Sequence, residues 1–239
     1  MKKIFLSLAL LGGFASAAPL SLTLSVTDGT KPLVGPLTLP SGGSLNVSEV
    51  KLYVSHVALI KADGREVPVR GLTLTKLSSQ TGFQNVRIFM GNAPVGEYRG
   101  VRFDVGVPRD QNHLDATSAP SPLSIEDGMY WAWNSGYIFM SVLGKTSVAG
   151  SEKDVALHVG GDNHRVTVNL ADLQKPSTAL SVGPQGASVP VTLNLAALLS
   201  KGLDGAAWDF SQPQYQQVHM GKVADQLADN ARSAFGAGK

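Results

Sequence analysis

The chain has 239 residues, 20 Lys and Arg against 18 Asp and Glu, and no cysteine. Without thiols there can be no disulfide and no thiolate metal site, so stability must come from core burial and any bound metal from His, carboxylate, Met or backbone donors. Setting aside Lys2 and Lys3, which belong to a leader-like start, leaves 18 charges of each sign, and the electrostatic motive for nucleic acid or an anionic membrane disappears.

Lys2 and Lys3, the apolar run Ile4 to Leu11 and the sequence Ala15-Ser16-Ala17 have the order of a secretory signal peptide, cut after Ala17. The apolar run is too short to span a bilayer, and no later stretch approaches the roughly 18 apolar residues that would insert. The expectation is a leader over residues 1–17 and one domain over 18–239, periplasmic or secreted, with no membrane insertion.

From residue 20 onward the pattern has a period of two. "LSLTLSV" is apolar at Leu20, Leu22, Leu24 and Val26; "EVKLYVSHVALIK" at Leu52, Val54, Ala58 and Ile60, with His56 on that same face; "VRFDVGV" at Val101, Phe103, Val105 and Val107. "GYIFMSVLG" is apolar on both faces and reads as a central strand. "DVALHVG", "HRVTVNL" and "VPVTLNL" continue the alternation, separated by "SGGS", "NAPVG", "GGDN" and "GPQG" turns. This predicts an all-β chain, an antiparallel β-sandwich of immunoglobulin-like or jelly-roll-like kind. Two segments read as helix: Leu195 to Gly202, and a C-terminal stretch with Val223, Leu227, Ala231 and Phe235 at steps of four. The polar, Pro-rich loop Val107 to Gly128 is longer than structureless loops usually are, which points to function.

That loop leads into "DGMYWAWNSGYIFM", which holds Trp131 and Trp133. Alternate tryptophans share a sheet face and fill a core; the rival is a platform for stacking carbohydrate. Enzyme signatures such as G-x-S-x-G, a P-loop or H-E-x-x-H are missing, so no catalytic activity is expected. With no cysteine, histidine is the residue that could carry metal chemistry. His56 points at the core by its face, His113 lies in the long loop, and His158 alternates against Val155, Leu157 and Val159. His164 begins a strand as a surface residue, and His219, with Met220 beside it, faces the body of the protein at the start of the C-terminal stripe.

In order along the chain, "YVSHVALI", "GEYRGVRFDVGVP", "NHLDATSAPSPL" with "GMYWAWNSGYIFMSVLG", "ALHVGGDN" and "VHMGKVADQLADNARSAF" resemble the MbnP-like copper-binding proteins over essentially residues 20–235. The resemblance implies an exported β-sandwich that binds copper for capture or delivery. It also implies a di-haem MauG- or MbnH-like partner that oxidises a tryptophan to kynurenine near the metal. Carried over, His113 and His158 become metal ligands and Trp131 or Trp133 the oxidation target. His219 and His56 are added as ligands from position, Met220 as a site-lining residue, and Asp115 and Asp127 as carboxylates that would orient the imidazoles. Proton competition should then weaken binding as pH falls towards about 6.5. The alternative function is a secreted carbohydrate- or surface-binding sandwich using exposed Trp and Tyr.

Overall fold

The computed structural model describes residues 16–69, 71–133, 136–171 and 179–238. The expected leader lies, but for Ser16 and Ala17, outside the described residues. Two sheets face each other, as the alternation requires. The smaller runs in the order Phe235–Ala237, Ala187–Asn194, Ala17–Thr27, Val86–Pro94. The larger has a spine of Val166–Asn169, Gly100–Val105, Ser44–Ile60, Gly136–Val148, Ser151–Gly160 and Gln217–Val218. Leu20, Leu22, Leu24 and Val26 from one sheet and Leu52, Val54, Phe103, Val142 and Leu157 from the other bury in one shared core. The expected β-sandwich is therefore the fold.

Not every pairing is antiparallel. Ala17–Thr27 runs parallel to Ala187–Asn194, and Gln217–Val218 runs parallel to Ser151–Gly160. Long excursions precede both, which is what lets a strand return in the same direction.

The Gly136–Val148 strand is central, as its two apolar faces predict: Ser44–Ile60 flanks one side and Ser151–Gly160 the other. Its second face, with Tyr137 and Phe139, packs in a smaller core with Tyr53, Val107, Ala116, Leu123, Met129 and Trp131. The long loop is what covers that face. It carries a short helix, Arg109–Asn112, and a 3₁₀ turn, Ile125–Asp127. Buried tyrosine hydroxyls tie it down: Tyr53 donates to the Pro122 carbonyl at 2.7 Å and Tyr137 to that of Leu123 at 2.5 Å. A loop so anchored is part of the core.

The C-terminal helix spans Lys222–Ala234, after His219 rather than from it, and buries Ala224, Leu227, Ala228 and Ala231. That i, i+3, i+4, i+7 stripe carries small residues, so the helix lies close to the sheet. The other helix is a single turn, Leu195–Leu198, capped by the Asn194 side chain. Among the described residues no helix is long and apolar enough to cross a membrane.

Candidate metal centre

His158 stands between buried Leu157 and Val159 on the Ser151–Gly160 strand, so alternation turns its ring to the other face. The two-residue strand Gln217–Val218 pairs parallel with it, Ala156 against Gln217 and Leu157 against Val218. Extending that register by one residue sets His219 opposite His158. The rings meet accordingly, with Nδ1 atoms 2.9 Å apart and centroids 4.7 Å apart. One ring donates an N–H to the other's lone pair.

Burial, and then the neighbouring His219, lowers the His158 pKa from the ordinary imidazole value to about 4. Burial lowers that of His219 as well. Both rings are neutral at pH 7, and a neutral imidazole is the form that binds metal.

The aromatic stretch borders this pair. Trp131 is buried, with its ring 6.2 Å from that of His158. Trp133 packs against Trp131 at 5.4 Å yet is 59% exposed. The indole of Trp131 packs closely against Gly160, two residues beyond His158. A β-carbon there would come within 2.7 Å of Trp131 Cζ3 and of the Tyr137 carbonyl oxygen. Gly160→Ala should therefore push the indole off the strand and cost about 1–3 kcal/mol in a denaturant titration, with a change in tryptophan emission. An unaltered emission spectrum and midpoint would show that the indole does not depend on this contact.

The other three histidines are each held by a carboxylate. His113 Nε2 pairs with Asp162 at 3.1 Å. Asp162 also accepts from Asn112 Nδ2 at 2.8 Å and pairs with Arg109. Burial pushes the Asp162 carboxyl up, but the hydrogen bonds from His113 and Asn112 outweigh it and hold the group below its usual value. Asn112 is fully buried and also accepts the Tyr137 N–H at 2.9 Å, locking the loop to the aromatic strand. His164 bridges the Gly160 carbonyl and Asp225 of the C-terminal helix, so it is a half-buried tie rather than a solvated surface group.

His56 departs most from expectation. A β-bulge between Ser55 and Ala58 gives it a φ of 47° and turns its ring outwards, 48% exposed, onto Asp104. The extra residue resets the alternation, so His56 does not face the core.

Among the described residues no three His, Asp or Glu side chains form a group able to enclose an ion. The four histidines His56, His113, His158 and His219 thus do not make one centre; the structure brings together only the last two. Asp115 and Asp127 do not orient them either. Asp115 closes its own loop through Thr117 and Ser118, and Asp127 accepts from Ser121 and leaves its other oxygen buried without a partner. Met220 is 64% exposed beside His219. Sequence reading gave no role in the site to Asn112, Gly160 or Asp162, although "NHLDATSAPSPL" and "ALHVGGDN", two of the stretches that carry the family resemblance, contain them.

His158 and His219 are the residues that would hold an ion here, and imidazole nitrogens would suit a transition metal.

A family model described as MbnP matches residues 17–221, a span that includes both His158 and His219. The chain belongs to the MbnP family. A solved structure, MbnP from Methylosinus trichosporium, is similar with a TM-score of 0.55 and 19% sequence identity, over 87% of this chain and 82% of that one. At that identity the likeness speaks for the MbnP fold alone. No curated protein matches the chain.

Proposed function

We propose that this MbnP-family chain is an exported copper-binding protein, and that His158 and His219 hold the ion for capture or delivery rather than for turnover. The observation that carries the reading is the 2.9 Å approach of two neutral Nδ1 atoms beside Trp131. Imidazole suits copper and zinc alike. A pair of imidazoles with no carboxylate falls short of the four ligands zinc takes, whereas cuprous copper is content with two or three. The Met220 thioether, next in sequence to His219, is a soft donor of the kind that favours the same state.

To hold copper through both Nδ1 atoms, the ring that now donates would carry its hydrogen on Nε2, leaving both Nδ1 lone pairs free. This exchange moves a proton within a neutral ring and releases none. Trp131 supplies a dry indole wall on one side. Trp133, tilted against it and open to solvent, is the face at which a di-haem oxidase would meet the chain, and either indole is a candidate for conversion to kynurenine. The carbohydrate reading keeps only Trp133, because Trp131 is buried and cannot stack on a sugar.

The test is a copper titration under reducing conditions against a competing Cu(I) chelator. One tight saturable site is expected for the native chain and none for the His158→Ala/His219→Ala double variant; a tight site that survives in the double variant overturns the reading. The pH dependence is a second check. Protons compete only below a ring's own pKa, and both are lowered, His158 to about 4. Affinity should hold level as pH falls through about 6.5, the ordinary imidazole value, and decline only below it. A decline centred at the ordinary value would place the ion on solvated histidines.

A further inference from the structure

His219 stands between two anchors. Before it, Gln217–Val218 pairs with the strand that carries His158, and Val218 is buried. After it come only Met220 and Gly221, both exposed, before the helix Lys222–Ala234 begins. Gly221 turns the chain there with a φ of 76°, and no side chain caps the helix start. A helix entered without a cap needs its first turn fixed by other means.

Asp225, in that first turn, supplies them. Its Oδ1 lies 2.9 Å from His164 Nε2, and His164 Nδ1 donates to the Gly160 carbonyl at 2.8 Å. Gly160 is two residues beyond His158 on the same strand. The contacts therefore close a ring: along the strand from His158 to Gly160, across His164 to Asp225, back through Gly221 to His219, and over 2.9 Å to His158 again. The 3₁₀ turn Asp162–His164 that presents His164 also holds the site's other wall. Asp162 accepts from Asn112, which accepts the Tyr137 N–H on the strand that pairs with Trp131. One short turn thus grips the segment bearing the indole at one end and the segment bearing the second imidazole at the other.

We propose that His164 and Asp225 are positioning residues for the His158–His219 pair, acting through the backbone on either side of His219. That role serves the metal only if the pair holds copper, as proposed above. Converging donors work together when held to within about 0.5 Å, and an uncapped helix start on a glycine hinge does not give that precision by itself.

The metal-free chain offers a readout that needs no ion: a hydrogen bond between two Nδ1 atoms transmits a ¹⁵N–¹⁵N scalar coupling, which fades as the atoms part. Asp225 is exposed, so Asp225→Ala leaves the core intact. It should erase the coupling and weaken Cu(I) binding by about 3–10-fold, the scale of one hydrogen bond. Asp225→Asn, which keeps an oxygen for His164, should retain both. His164→Ala should match Asp225→Ala, and combining the two should add nothing, because they act as one unit. Asp229→Ala, which removes a surface pair with Arg232 on the same helix, should change neither quantity. A coupling in Asp225→Ala equal to that of the native chain overturns the proposal, as does an equal loss in Asp229→Ala. If the native chain takes up no copper while Asp225→Ala still loses the coupling, the copper reading fails and the hold on His219 stands.

Discussion

His158→Ala is expected to lower copper affinity by at least about 100-fold while the chain stays folded. Losing a group that merely orients a ligand already costs about 10–100-fold in metal sites, and His158 is one of the two histidines that converge among the described residues. The fold should survive because the ring faces away from the shared core: Leu157 and Val159, its buried neighbours, are untouched. His219 is half-buried and can turn its Nδ1 to water once its partner is gone, so the lost hydrogen bond costs about 1 kcal/mol. A chelator competition assay gives the first quantity and thermal unfolding the second. Unchanged affinity with an unchanged unfolding temperature would remove His158 from the centre.

The same ring should make the metal-free protein sensitive to mild acid. Its folded pKa is depressed to about 4, by burial and then by His219, against 6.5 for a free imidazole. Between those values the unfolded chain binds a proton that the folded chain refuses. Stability is therefore fully present above about 6.5 and falls as pH drops towards about 4. The whole shift corresponds to roughly 3 kcal/mol at most, and solvent reaching the ring reduces it to about 1–3 kcal/mol. Denaturant titrations of the native chain and His158→Gln at several pH values isolate the effect, since the carboxylates are common to both. The native chain should lose more stability on acidification than the variant; parallel slopes would sink the argument.

The sequence displayed the sandwich plainly because a sheet with one wet face leaves a two-residue rhythm. Leu20 to Val26 and Val101 to Val107 keep it without a break. The central strand was visible because residues 136–144 abandon the rhythm and, Ser141 apart, are apolar on both faces. His158 could be assigned to the face opposite Leu157 by counting, and it is there.

The partner of His158 could not be counted. His219 lies 61 residues away, and the strand that delivers it, Gln217–Val218, is too short to leave a pattern of its own. Its register follows from where Ala156 and Leu157 offer their backbone. His56 shows the opposite failure. The count was right, but one inserted residue at the bulge reversed its meaning, and nothing local in "YVSHVALI" announces a bulge. The carboxylates were misassigned for a similar reason: Asp115 and Asp127 are near His113 in the chain, while Asp162, which holds it, comes from a turn 49 residues on.

The parallel pairing of Gln217–Val218 has a consequence for when the centre comes into being. A chain cut before residue 217 would have a single imidazole at this place and nothing to clasp it. The second arrives only when Gln217–Val218 pairs with the sheet edge. In the proposed reading, holding an ion requires this short strand to be docked on the sheet edge, and by mass action an ion bound there would in turn fasten it in place.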